Sequence, residues 1–86
     1  MPPPFSVTYD PVGDVVYLES CLPYGEQRSV MEADGVVYRR NPDSGEIERI
    51  EILSFRRWQL ADLADLPIDA RLKDVLAALS TYARAA

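Results

Sequence analysis

The chain has 86 residues, 48% of them hydrophobic, with one cysteine, no histidine and a formal net charge of −5. A chain of this size makes one domain with a thin core, because it buries only about 60 to 65% of the surface its unfolded form exposes. The acid excess repels a phosphate backbone, the missing histidine removes the imidazole base and metal ligand, and one cysteine builds neither a disulfide framework nor a thiolate zinc site.

Residues 1–4 form a Pro-rich arm that cannot donate to a strand ladder, so a single domain is expected over 5–86. Phe5, Val7 and Tyr9 alternate with Ser6 and Thr8, the period-2 pattern of a half-buried strand. That strand stops at Asp10-Pro11-Val12-Gly13-Asp14, where Pro sets φ and Gly permits a tight turn. Val15 to Glu19 forms a second strand with apolar residues on both faces. Pro23 and Gly25 argue against regular pairing over Ser20 to Gly25, and a third strand follows from about Gln27 to Glu32. Asp34-Gly35 is the strongest short-range hairpin signal, leading into a fourth strand, Val36 to Arg40.

Asn41-Pro42-Asp43-Ser44-Gly45-Glu46 reads as a type I turn closed by a left-handed glycine, which sets Asn41 opposite Glu46. Carried back along the strands, that register pairs Arg39 with Glu48, Tyr38 with Arg49 and Val37 with Ile50. After Leu53 the periodicity changes, and Ser54 to Leu66 is expected to be a turn or short helix tied to the core by Phe55, Trp58 and Leu60. Leu72, Val75, Leu76, Leu79, Tyr82 and Ala83 then recur at helical spacing, with Asp69 at the N-terminal end and Arg84 at the C-terminal end. A helix is predicted from about Ile68 to Arg84. The fold class is α+β: an antiparallel β-meander of about five strands followed by a C-terminal amphipathic helix.

The opening residues have no basic segment followed by a signal-length apolar stretch, and no run is long enough to cross a bilayer. With a lone Cys21, a reducing, cytoplasmic location is the simpler expectation. Without a base or cation at hand Cys21 is not expected to be a reactive thiol.

No catalytic residue, cofactor or metal site stands out. Asp10 and Asp14 could be paired carboxylates or hard-metal ligands, but they are more simply turn residues accepting backbone N–H groups. The basic pairs Arg39-Arg40 and Arg56-Arg57 are flanked by Asp43, Glu46, Glu48 and Glu51, which favours a salt-bridged surface over a nucleic-acid patch. The ligand-binding candidates are Tyr9, Tyr17, Tyr38 and Glu51, which could share a polar pocket on one side of the sheet. The plainer reading is a Glu51 satisfied by Arg49, Arg40 or a tyrosine hydroxyl.

Tyr9-Asp10-Pro11, Asp14-Val15-Val16-Tyr17-Leu18, Gly35-Val36-Val37-Tyr38 and Ile50-Glu51-Ile52-Leu53, in that order and spacing, resemble the domain-of-unknown-function family numbered 2283 over about Ser6 to Phe55. The resemblance implies a small antiparallel sheet and brings no assigned catalytic residues. It also implies an antitoxin-like role, since genes for similar small proteins often lie beside a gene for a small toxin-like protein. The inserted loop at Ser20 to Gly25 and the residues after Phe55 depart from the family pattern.

Two functions follow. One is a non-catalytic protein–protein interaction module, antitoxin-like, whose acidity suits a small basic partner. The other is a small-ligand binder or enzyme using the Tyr/Glu neighbourhood. A homodimer or bound protein partner is expected, because Val16, Leu18, Val37, Ile50 and Ile52 would form one apolar face and Val15, Tyr17, Val36, Tyr38 and Ile47 a second that one helix cannot cover. The alternative is that the Arg57 to Leu66 segment folds over that second face and leaves a monomer.

Overall fold

In the computed structural model, which describes residues 5–32 and 35–85, the alternation after Phe5 becomes strand β1 (Ser6–Asp10), followed by β2 (Val15–Glu19), β3 (Arg28–Glu32), β4 (Val36–Arg40) and β5 (Ile47–Ile52). A 3₁₀ turn (Phe55–Arg57) leads to a short helix α1 (Leu60–Ala64) and the long helix α2 (Ala70–Ala85). The five strands pair antiparallel, and the sheet followed by its C-terminal helix is the expected α+β arrangement. The Pro-rich arm and Asp34 lie outside the described residues.

Strand order is β1-β2-β5-β4-β3. β2 therefore pairs with β5, and the connection from Ser20 to Gln27 must carry the chain across the end of the sheet to the far edge, about 14 Å at the usual strand spacing. This is why that stretch is irregular. Its start is fastened to β5: the Ser20 backbone N–H and hydroxyl both donate to the Glu48 carbonyl, at 2.9 and 3.0 Å.

The turn at 41–46 closes as expected. Asn41 N–H donates to the Glu46 carbonyl at 2.9 Å, Gly45 takes φ of 74°, and the Asn41 side-chain oxygen accepts the N–H groups of Asp43 and Ser44. The register beyond it differs from expectation by one residue. Arg40 pairs with Ile47, but Arg39 pairs with Arg49, Tyr38 with Ile50 and Val37 with Glu51. Glu48 is the extra residue of a β-bulge in β5, and one inserted residue moves everything beyond it to the other face.

The faces change accordingly. Val16, Leu18, Ile50 and Ile52 line the core as expected, but β4 contributes Val36 and Tyr38 to it rather than Val37. Ile47, expected on the second face, also packs against the core. Phe55, Leu63, Leu66, Leu72, Leu76 and Ala83 complete it from the helical side. Leu60, expected to tie the connection to the core, is exposed, and Leu63 and Leu66 do so instead. In α2, Leu72 and Leu76 are buried and Leu79 half-buried, whereas Val75 faces water. Asp69 is the N-cap: its Oδ1 accepts the Leu72 N–H at 2.9 Å.

The 57–66 segment lies on the core side, and among the described residues no helix packs over the opposite face of the sheet. That face is not the apolar surface expected. By alternation it carries Val15, Tyr17, Glu19, Val37, Arg39, Arg49 and Glu51. A ladder of ion pairs crosses it: Glu19 to Arg49 at 2.5 Å, Arg49 to Glu51 at 3.0 Å, and Glu51 to Arg39 at 2.6 Å. Arg39 also donates to the Ser29 hydroxyl on β3. Charge neutralisation takes the place of apolar cover there.

Candidate functional site

The structure divides the four sequence candidates between the two faces. Tyr17 and Glu51 are paired neighbours on the ion-pair face, while Tyr9 and Tyr38 sit on the core side. A shared Tyr/Glu pocket is therefore not formed, because the bulge at Glu48 turns Tyr38 away from Glu51. Glu51 is held by Arg39 and Arg49, not Arg40, and the Arg49 guanidinium lies 4.9 Å from the Tyr17 ring centroid.

Tyr9 belongs to a cluster that joins both ends of the fold. Its ring packs against Phe55, and its hydroxyl donates to Asp14 Oδ1 at 2.8 Å. Loss of surrounding water, with the adjacent Asp14 carboxylate, raises the Tyr9 pKa above its ordinary value. Asp14, at φ of 57°, also accepts the backbone N–H of Arg56, which lies far away in sequence. Asp10 is the local turn residue, accepting the Val12 N–H at 3.0 Å. These are structural roles for both aspartates.

A third cluster surrounds the bulge. Glu48 accepts hydrogen bonds from the Tyr24 hydroxyl, from Gln27 Nε2 at 3.2 Å and from Asn41 Nδ2 at 3.4 Å. The bonds from Tyr24 and Gln27 hold its pKa below the ordinary carboxylate value, and the same carboxylate pushes Tyr24 up to about 12. The exposed Cys21 thiol nearby is pushed up by partial loss of surrounding water and then by the Glu48 and Glu19 carboxylates, which disfavours the thiolate. The carboxylate here clamps the crossing loop onto the bulge.

The concave feature is elsewhere. The helical layer covers β2 and β5 completely but thins toward the β3 edge, where Val30 is 50% exposed. An open cleft of about 750 Å³ lies over β4, next to that edge, with Val36, Tyr38, Trp58 and Leu66 as apolar and aromatic wall and Arg57, Asp62 and Asp65 as its charged groups. The Trp58 ring is fixed by its Nε1–H, which donates to the Leu53 carbonyl at 3.1 Å. Asp62 Oδ2 accepts the Gln59 N–H at the start of α1. Among the described residues neither Asp62 nor Asp65 is in an ion pair.

Of the sequence candidates only Tyr38 lines this cleft. The signal for the others is present but weak: two aspartates three residues apart share a helical face, the first of them four residues after a tryptophan. Among the described residues no three His, Cys, Asp or Glu side chains converge to hold a metal ion, and no helix is long and apolar enough to cross a membrane.

Comparison with family models, with curated proteins and with solved structures returns no match for this chain.

Proposed function

We propose that this chain is a non-catalytic protein–protein interaction module whose cleft receives a cationic side chain from a small basic partner, as an antitoxin receives its toxin. The observation that carries this reading is the placement of two carboxylates outside any ion pair, Asp62 and Asp65, beside the Trp58 and Tyr38 rings in one cleft. Carboxylates and aromatic faces together suit an arginine or lysine, one by charge and the other by cation–π attraction. The net charge of −5 would steer a basic partner toward the surface. The likeness of the strand motifs to the domain-of-unknown-function family numbered 2283, with its toxin-like gene neighbours, agrees with this role.

The test is calorimetric titration with the product of the adjacent open reading frame. Binding that weakens with salt and drops roughly tenfold or more in Asp62→Asn/Asp65→Asn supports the reading. Absence of binding, or binding indifferent to those substitutions, refutes it.

One observation favours the second reading, a small-ligand binder. A cleft of about 750 Å³ is in the range that holds small molecules. A small molecule that protects the fold thermally, and loses that effect in Trp58→Ala, would select it.

A further inference from the structure

We infer that β3 is an assembly edge, at which two copies of this chain pair β3 with β3 antiparallel about a two-fold axis at Val30, extending two five-stranded sheets into one. The surface is distinct from the cleft, and the inference does not depend on what the cleft binds.

Among the described residues β3 is paired on one side only, with β4, in an unbroken register from Arg28 opposite Arg40 to Glu32 opposite Val36. Exposed edges are normally blunted by proline, lysine, a bulge or a covering element, because an open row of N–H and C=O groups templates further pairing. Among the described residues β3 has none of these, and its middle residues Val30 and Met31 are 50% and 63% exposed on opposite faces. The other edge differs, since Val7 and Tyr9 of β1 pack against the core.

The occupant follows from charge and register. Arg28 is opposite Arg40 within its own chain, a like-charged pair, and no carboxylate among the described residues bonds to it. The strand reads Arg-Ser-Val-Met-Glu. An antiparallel copy centred on Val30 sets Val30 against Val30, Ser29 against Met31, and an arginine against a glutamate at both ends of the ladder. Centring on Ser29 or Met31 loses both charge pairs. The same operation on β1 sets Ser6 against Asp10, with no such match. Because the axis is perpendicular to the sheet, both helical layers lie on one side, and the two clefts flank the seam.

Light scattering on the purified full chain, over a concentration series reaching about 100 μM, tests this without any ligand. The expected mass rises from 9.7 kDa toward twice that value. Met31→Lys and Arg28→Glu should each weaken association roughly tenfold, the first by placing a charge on the edge and the second by opposing like charges. Arg28→Glu combined with Glu32→Arg should restore it, and Arg71→Glu, the same charge change on α2, should leave it unaltered. Circular dichroism confirms that each variant is folded. A mass staying at 9.7 kDa, association indifferent to both edge variants, or failure of the exchanged pair to restore it would overturn the inference.

Discussion

Arg39 and Arg49 face each other across the β4–β5 ladder, and both guanidinium groups converge on one oxygen of Glu51, at 2.6 and 3.0 Å. Two like charges directly opposite destabilise a strand pair unless a counter-charge sits between them. Glu51 is that counter-charge, with its side chain 15% exposed.

Glu51→Gln should therefore lower stability by about 2 kcal/mol, since it removes charge-assisted bonds and leaves Arg39 opposite Arg49 with Glu19 alone to balance the pair. Chemical unfolding measures the loss. Combining it with Arg39→Gln should cost less than the sum of the two single changes, because the second removes the repulsion the first exposed.

In α2, Leu76 is fully buried whereas its neighbour Val75 is 42% exposed. Leu76→Ala should cost roughly 2 to 5 kcal/mol through lost burial and a residual cavity. Val75→Ala should change stability by about 0.5 kcal/mol or less. Equal shifts in the two unfolding midpoints would contradict the helix orientation.

How far the residues foretold this structure can be judged at β5. The turn at 41–46 was legible because Pro42 and Gly45 each have a conformational reason to be there, and both its ends close as expected. The register derived from it failed at Glu48, since pairing by a constant sum assumes no inserted residue. A trace of the bulge exists in the sequence: Ile47 and Ile50 are three apart, and two residues at odd spacing share a face only if the strand carries an extra residue. The slip propagated to the site, because it put Tyr38 and Glu51 on one face when they lie on opposite ones. The cleft was harder still. It arises from helices that cover β2 and β5 but stop short of β3, a matter of how layers meet that local periodicity does not encode.

The Tyr24–Glu48 contact predicts stability that changes at both ends of the pH scale. Glu48 titrates lower in the folded chain than when unfolded, so its contribution is whole above the ordinary carboxylate value and is lost as pH falls through the folded one. Tyr24 is shifted the other way. Its contribution is whole below the unfolded tyrosine value of about 10 and is lost as pH rises through about 12. Tyrosinate absorbance, taken as the difference between the chain and Tyr24→Phe, should show that late titration. In Glu48→Gln the midpoint should fall back toward about 10.

Asp14 offers the last test, because two separable properties meet in one side chain. Its backbone is left-handed, at φ of 57°, a conformation that aspartate, asparagine and glycine tolerate better than other residues. Its carboxylate accepts the Tyr9 hydroxyl and the Arg56 backbone N–H and lies 3.7 Å from the Arg56 guanidinium. Arg56 in turn donates to the Ala83 carbonyl at 3.1 Å, so the first hairpin, the 3₁₀ turn and the end of α2 are joined through this pair. Asp14→Asn keeps the backbone preference and one acceptor oxygen, and should cost about 1 kcal/mol. Asp14→Gly keeps the backbone conformation without strain but loses every acceptor, and Asp14→Ala loses both. The order of unfolding midpoints should run from the parent chain through Asn and Gly to Ala, with Ala lower by about 2 to 4 kcal/mol in stability. If Gly instead matched the parent chain, the acceptor bonds would contribute nothing, and relief of backbone strain would be the only role of this position.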